Sequence, residues 1–307
     1  MNIKIDNTIP LFYINLDDNA DRNDNIIKLT KKYDFKNVTR ISAVNTRTIE
    51  KVNEYIDSID KNAYDLLVNN NKNGTRKNHY ELTNGSIGCY LSHKKIYEEI
   101  VKNKIPYALI LEDDCTIESS PEYFWNKISN FKIPNDTDIF FLNTLIFDTI
   151  NKDEISKINF FICLHSYIVT YEGAKKLLDN LFPIEMQIDS KIARLSYENK
   201  IKLYAYTYND IKIQQGKMET NIQSLACPNC NMFNEINEYK INNMNNNVNN
   251  NDMNNNDMNN NDMNNNDMNN NDMNNNNNDM NNNNMNNILL LLCILFIISA
   301  IYYFIKQ

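Results

Sequence analysis

Tyr107-Ala-Leu-Ile-Leu-Glu-Asp-Asp114 is the stretch on which the fold turns. Its first five residues are apolar without alternation and too few for a helix, the pattern of a strand covered on both faces and central in its sheet. The run passes straight into three carboxylates, which therefore emerge at the C-terminal edge of that strand, where open α/β sheets bind ligands. Alternate side chains of an extended segment point the same way, so Glu112 and Asp114 can converge while Asp113 faces elsewhere. Two hard oxygen donors suit Mg2+ or Mn2+. A divalent ion there would bridge the phosphates of a nucleotide-sugar and take up charge as the diphosphate leaves. The competing reading is a solvated acidic turn after a strand.

Working outward, Leu11–Leu16 reads as a first strand, 18–33 as a helix with Ile26, Ile27 and Leu29 apolar, and 38–44 as a second strand. The order β-α-β implies a parallel pair. Residues 50–84 are polar, and Asn69-Asn-Asn-Lys-Asn-Gly74 reads as a loop. A helix is predicted over 86–103, with Ile87, Leu91, Ile96 and Ile100 on its buried face. Downstream, 138–142, 160–170 and 201–206 read as strands, and 171–181 and 188–197 as helices. The pattern predicts an α/β domain with a single, mostly parallel sheet flanked by helices.

The 307 residues allow one large domain or two small ones, but composition shifts sharply near the C-terminal end. From 242 to 287 the chain is almost only Asn, Asp and Met, repeating Asp-Met-Asn-Asn-Asn from Asp252 to Met273. A period of five fits neither helix nor strand, and so few bulky apolar groups cannot offset the entropy of ordering, which predicts disorder. The segment reads as a flexible stem or as drifted low-complexity sequence. Residues 288–305 carry no charge and reach the lower length of a spanning helix, with Tyr302 and Tyr303 near one interface.

These shifts predict a catalytic domain over 1–235, a disordered Asn-rich linker over 236–287 and a transmembrane helix over 288–305. No charged region followed by an apolar core opens the chain, so the expectation is a single-pass, C-terminally anchored membrane protein with a cytosolic catalytic domain. A cleaved lipid-anchor signal is the competing reading of the tail.

A net charge of −8 and a pI near 5.0 argue against nucleic-acid binding, which needs clustered Lys and Arg. An anionic nucleotide-sugar stays compatible, because one metal ion and a few local groups offset a diphosphate. The six cysteines show no disulfide framework. Cys227-Pro-Asn-Cys230 has zinc-ribbon spacing without a second ligand pair, and reads either as structural zinc or as two thiols in a loop after the domain.

Several blocks recur in one order: Phe12-Tyr-Ile-Asn-Leu16 with Arg22, Gly85-Ser-Ile-Gly-Cys-Tyr-Leu-Ser-His93, Ala108-Leu-Ile-Leu-Glu-Asp-Asp114, Tyr171-Glu-Gly-Ala-Lys-Lys-Leu-Leu178, Asp189, Gln214-Gln215 and Asn221-Ile-Gln223. Over about residues 11–225 the chain resembles glycosyltransferase family 25, which includes lipopolysaccharide and collagen galactosyltransferases. The resemblance implies a GT-A fold, inversion at the anomeric carbon and UDP-galactose as the usual donor. Carried onto these residues, it places Asn15 and Arg22 near the nucleotide with Arg22 facing phosphate, and adds Asp113 and His93 to the donor side. Glu112 and Asp114 match the family's metal-binding acidic motif. Asp189 matches a family aspartate before a helix, either as the base that takes the acceptor proton or as an N-cap. His165 reads as a satisfied core residue, and Gln215 is placed on the acceptor side.

Asp18, Ser86, Gln187 and Asn221 depart from the residues common in the family, respectively Arg, Glu, Pro and an acid. The function expected is metal-assisted, inverting transfer of a hexose, galactose or glucose, from a UDP-sugar to a glycan or protein hydroxyl. The alternative is a catalytically inactive relative serving as a membrane-tethered binding or scaffold protein.

Overall fold

A computed structural model describes residues 3–150, 153–216, 222–228, 230–231, 235–237 and 240. Apart from 236, 237 and 240, the expected Asn-rich linker lies outside the described residues, as do the apolar segment expected to span a membrane and Asn221; Ile236 is buried in the core of the domain. No helix among the described residues is long and apolar enough to cross a membrane.

In chain order the elements are β1 (Pro10–Asn15), α1 (Ala20–Lys32), β2 (Asn37–Ser42), α2 (Ile49–Asn53), α3 (Lys61–Asn73), α4 (Asn84–Lys102), β3 (Tyr107–Glu112) and β4 (Cys115–Ile117). There follow α5 (Pro121–Ile128), β5 (Ile139–Thr149), β6 (Ile155–Thr170), α6 (Tyr171–Asn180), α7 (Ile188–Tyr197), β7 (Leu203–Tyr206) and β8 (Ile213–Gln215). Six strands form one sheet in the order β2-β1-β3-β6-β5-β7, and β4 pairs with β8 apart from it. Residues alternate between two apolar layers: Ala108 and Ile110 of β3 pack with α4, α6 and α7, while Leu109 and Leu111 pack with α1 and α5. Central burial on both faces is what the unalternating apolar run of β3 requires.

The sheet is mixed rather than mostly parallel. β1 runs parallel to β2 and β3, and β5 to β7, but β6 is antiparallel to β3, β5 and β7. The cause is a hairpin. β5 and β6 are far longer than the cores expected at 138–142 and 160–170, and the connection between Thr149 and Ile155 is too short for the crossover that a parallel pair needs. Polar residues such as Asn143, Asp148 and Asn159 break the apolar pattern in the strand extensions and made them read as loop.

The expected loop at Asn69–Gly74 is also corrected, because α3 runs through Asn73 and only Gly74, at φ +71°, leaves the helix. Asp60 caps the helix start by accepting from the Asn62 and Ala63 amides, and buried Leu67 and Asn70 tie its inner face down. Caps and tertiary contacts outweigh the modest helix preference of an Asn-rich run.

α4 carries the best-defined start. Thr83 accepts from the Ser86 amide at 3.1 Å, and Ser86 Oγ accepts from the Thr83 amide at 2.8 Å. Ser86 thus completes the reciprocal cap that a Glu supplies in the same position. Gly88 brings α4 against the segment after β2, where an added Cβ would stand 2.4 Å from the Val44 carbonyl oxygen and 2.5 Å from Thr46 Oγ1. Gly88→Ala is therefore expected to destabilise the chain by about 1–3 kcal/mol through overpacking. Thermal unfolding checks this, and an unchanged midpoint would show that the contact relaxes freely.

A disulfide joins Cys227 and Cys230, replacing both the zinc and the two-thiol readings. The segment before it belongs to the domain: Ala226 bridges Thr75, and its carbonyl accepts from the Arg76 amide at 2.9 Å.

Candidate active site

The C-terminal ends of β1 and β3 bring Asn15 and Glu112-Asp113-Asp114 to one edge of the sheet, facing α1 and the first half of α4. The strand ends at Glu112, so the alternation expected of an extended chain stops there. All three carboxylates line one narrow cleft, and Asp113 does not face elsewhere. Asp113 is held on both oxygens, by Asn15 Nδ2 at 2.8 Å and Arg22 Nη1 at 2.9 Å. Arg22 also stands 3.5 Å from Asp114 Oδ2, so its guanidinium is committed to the acidic run. Arg40 closes the outer side by donating to Asn15 Oδ1 and to Asp17.

Asp114 is electrostatically exposed to its neighbours although it is almost wholly buried. Burial, then the charge of Glu112, push its carboxyl up to about 6, outweighing Arg22 and the hydrogen bond from Gln215 Nε2 at 3.1 Å. Its other oxygen, Oδ1, is buried with no hydrogen-bond partner among the described residues. Glu112 behaves differently. Burial pushes its carboxyl up, but His93, His165 and Arg22 more than offset this and hold it below the usual range. Two carboxylates on one cleft, one with a buried unpartnered oxygen, are a donor set that fits a hard divalent cation.

His93 is fully buried on α4. Its Nδ1 bonds Tyr167 Oη at 2.7 Å, Tyr167 in turn bonds Tyr97 at 2.8 Å, and Nε2 faces Glu112 Oε1 at 3.5 Å. His165, expected to be a satisfied core residue, has a hydrogen bond on neither ring nitrogen among the described residues. Burial pushes its pKa down and Glu112 pulls it back up.

A second, wider cavity of about 420 Å3 lies beside the cleft and contains Asp189. Asp189 is not the N-cap of α7. Gln187 occupies that position without a side-chain cap, and spends its amide on the carbonyls of His79 and Glu81 at 2.7 and 3.0 Å. Asp189, two residues further on in the first turn, accepts from the Ser190 amide at 2.9 Å and the Cys163 amide at 3.3 Å. Arg76 and His79 also line this cavity, and sequence reasoning missed both because they sit in a polar stretch without periodicity. Cys89, Glu112, Gln215 and Ile222 line both cavities, so Glu112 stands where the two meet. Gln215 reaches the acidic run from β8 by donating to Asp114 and also lines the wide cavity that contains Asp189.

The family model for glycosyltransferase family 25 (LPS biosynthesis protein) matches residues 8–192, more than half of the chain, including the strand ends that carry Asn15 and Glu112. The chain belongs to glycosyltransferase family 25. Within that family, a short stretch is similar to the human "Inactive glycosyltransferase 25 family member 3", at 46% identity over 39 residues, 13% of this chain. The match spans 7% of that relative, so the chain aligns with less than a tenth of its length.

Proposed function

We propose that this family 25 chain is an active inverting glycosyltransferase that moves a hexose, galactose or glucose, from a UDP-sugar to a hydroxyl of a glycan or protein. One observation carries the reading: a narrow acidic cleft and a wider cavity meet at Glu112, with the acidic run on one side and Asp189 on the other. That is the arrangement a displacement needs, with leaving group and incoming hydroxyl on opposite sides of the sugar carbon.

Glu112 and Asp114 are the residues that would hold Mn2+ or Mg2+, which when bound supplies positive charge to the departing diphosphate. Arg22 and Asn15 fix the acidic run through Asp113, so the carboxylates are oriented before substrate arrives. Asp189 takes the proton of the acceptor hydroxyl as that oxygen bonds the anomeric carbon. The bond from that carbon to the phosphate oxygen breaks on the far face, and its electron pair leaves with the diphosphate. Water is limited by the walls of the cleft, where His93 is buried and Cys89 and Ile222 are half-buried.

Support for activity rather than a scaffold role lies in the retained carboxylates and in the buried, unpartnered oxygen of Asp114, which a purely structural protein has no reason to keep. The test is UDP release from a panel of UDP-sugars with Mn2+. Turnover on at least one donor, lost when the metal is chelated, is the expected result. No metal-dependent turnover on any donor would overturn the reading in favour of an inactive binding protein.

A further inference from the structure

We infer that Cys89, His93 and Glu112 form a binding site for a zinc-type divalent cation, distinct in ligand chemistry from the carboxylate pair and sharing only Glu112 with it. Cys89 and His93 stand one turn apart on α4, a spacing that places both side chains on one helix face. Glu112 meets them from the end of β3, and one donor atom from each of the three lies within 4.8 Å of the others. The 3.5 Å between His93 Nε2 and Glu112 Oε1 matches the ligand spacing of a tetrahedral ion with bonds of about 2.0–2.3 Å.

The imidazole supplies a second, independent observation. His93 is fully buried, and Nε2 has no hydrogen-bond partner among the described residues. Its other nitrogen is engaged by Tyr167, which is itself bonded to Tyr97. Nδ1 is thereby engaged, and the one remaining donor atom of the ring, Nε2, points at Glu112 Oε1. A proton or a metal ion on Nε2 can join the ring to that carboxylate, and Cys89 one turn away supplies the third donor that a metal ion takes. A second hydrogen bond that fixes the ring and its tautomer is also the usual support for a metal-ligating histidine.

Sulfur then selects the ion. A thiolate, an imidazole and one carboxylate suit Zn2+, Co2+ or Fe2+, whereas Mg2+ and Mn2+ prefer oxygen throughout. Three protein ligands leave the fourth position open, and Cys89 and Glu112 both border the two cavities, so that position is reachable from either.

The site does not depend on the transfer reading, and its test uses no turnover. Cobalt(II) is titrated without Mn2+ into the full chain carrying C227S and C230S, so that this pair supplies no thiolate. The expected result is a thiolate-to-cobalt charge-transfer band that saturates at one equivalent, is removed by Zn2+ and is abolished by Cys89→Ser. Far-ultraviolet circular dichroism confirms that the variant is folded. Glu112→Gln leaves the sulfur in place, so it should retain the band while weakening Co2+ binding about tenfold or more. No band in the folded chain, or a band that survives Cys89→Ser, overturns the site.

Discussion

Asp114→Asn is expected to lower kcat/KM for UDP release by about 10²- to 10³-fold while leaving the metal-free protein at least as stable as before at pH 7. The activity loss follows from removing one of the two hard donors on the cleft. The stability result has the opposite sign to most buried substitutions. With its carboxyl raised to about 6 by burial and by Glu112, the charged form of Asp114 is disfavoured in the fold. A raised carboxyl pKa stabilises the fold fully below the unfolded value, and that contribution is lost as pH climbs through about 6. At pH 7 the wild-type chain therefore carries a penalty of about 1–3 kcal/mol that a neutral amide lacks. The advantage of the variant should shrink as pH falls from about 6 and be gone below about pH 4, where wild-type Asp114 is protonated in both states. Urea unfolding of both proteins in chelator across this range checks the sign. A variant less stable than wild type at pH 7 would mean that Arg22 and Gln215 already satisfy the carboxylate.

Asp189→Asn should lower kcat by about 10²- to 10⁴-fold and leave the binding of UDP unchanged, because the amide cannot take the acceptor proton. The substitution is mild structurally. Asn keeps an oxygen for the Ser190 amide and gives up the longer bond to Cys163, which costs about 1 kcal/mol. Steady-state kinetics with saturating donor, alongside UDP binding by calorimetry, separate the two effects. A kcat within a few-fold of wild type would reduce Asp189 to a residue of the α7 first turn. The base would then have to be sought among the other groups on the wide cavity.

Much of this was legible in the chain because local pattern and tertiary role agreed. β1, β2, β3 and α4 fall within one or two residues of expectation, since an apolar run bounded by polar residues or a helical repeat of Ile and Leu leaves little choice. The sheet's direction was not legible, because β6 owes its orientation to the length of a hairpin whose polar positions break the apolar pattern. The helix through Asn69–Asn73 was hidden for a related reason, as its stability comes from Asp60, Gly74 and the bond of Asn70 to Glu81 at 2.8 Å.

In the site, Glu112, Asp113 and Asp114 announced themselves as a run, but their division of labour did not. Only the fold shows Asp113 spent on Asn15 and Arg22, partners far away in sequence. Arg76 and His79 reach the wide cavity because Gln187 ties down their loop, an arrangement no local motif records.

The central claim is that Glu112 and Asp114 hold a hard divalent ion against a nucleoside diphosphate. Crystals of the chain grown with UDP and Mn2+ test it most directly, using manganese anomalous scattering to locate the ion. The account predicts an anomalous peak in contact with both carboxylates and with the diphosphate, on the opposite side of the junction from Asp189. An ion absent from Glu112 and Asp114, or UDP bound away from the narrow cleft, would contradict it.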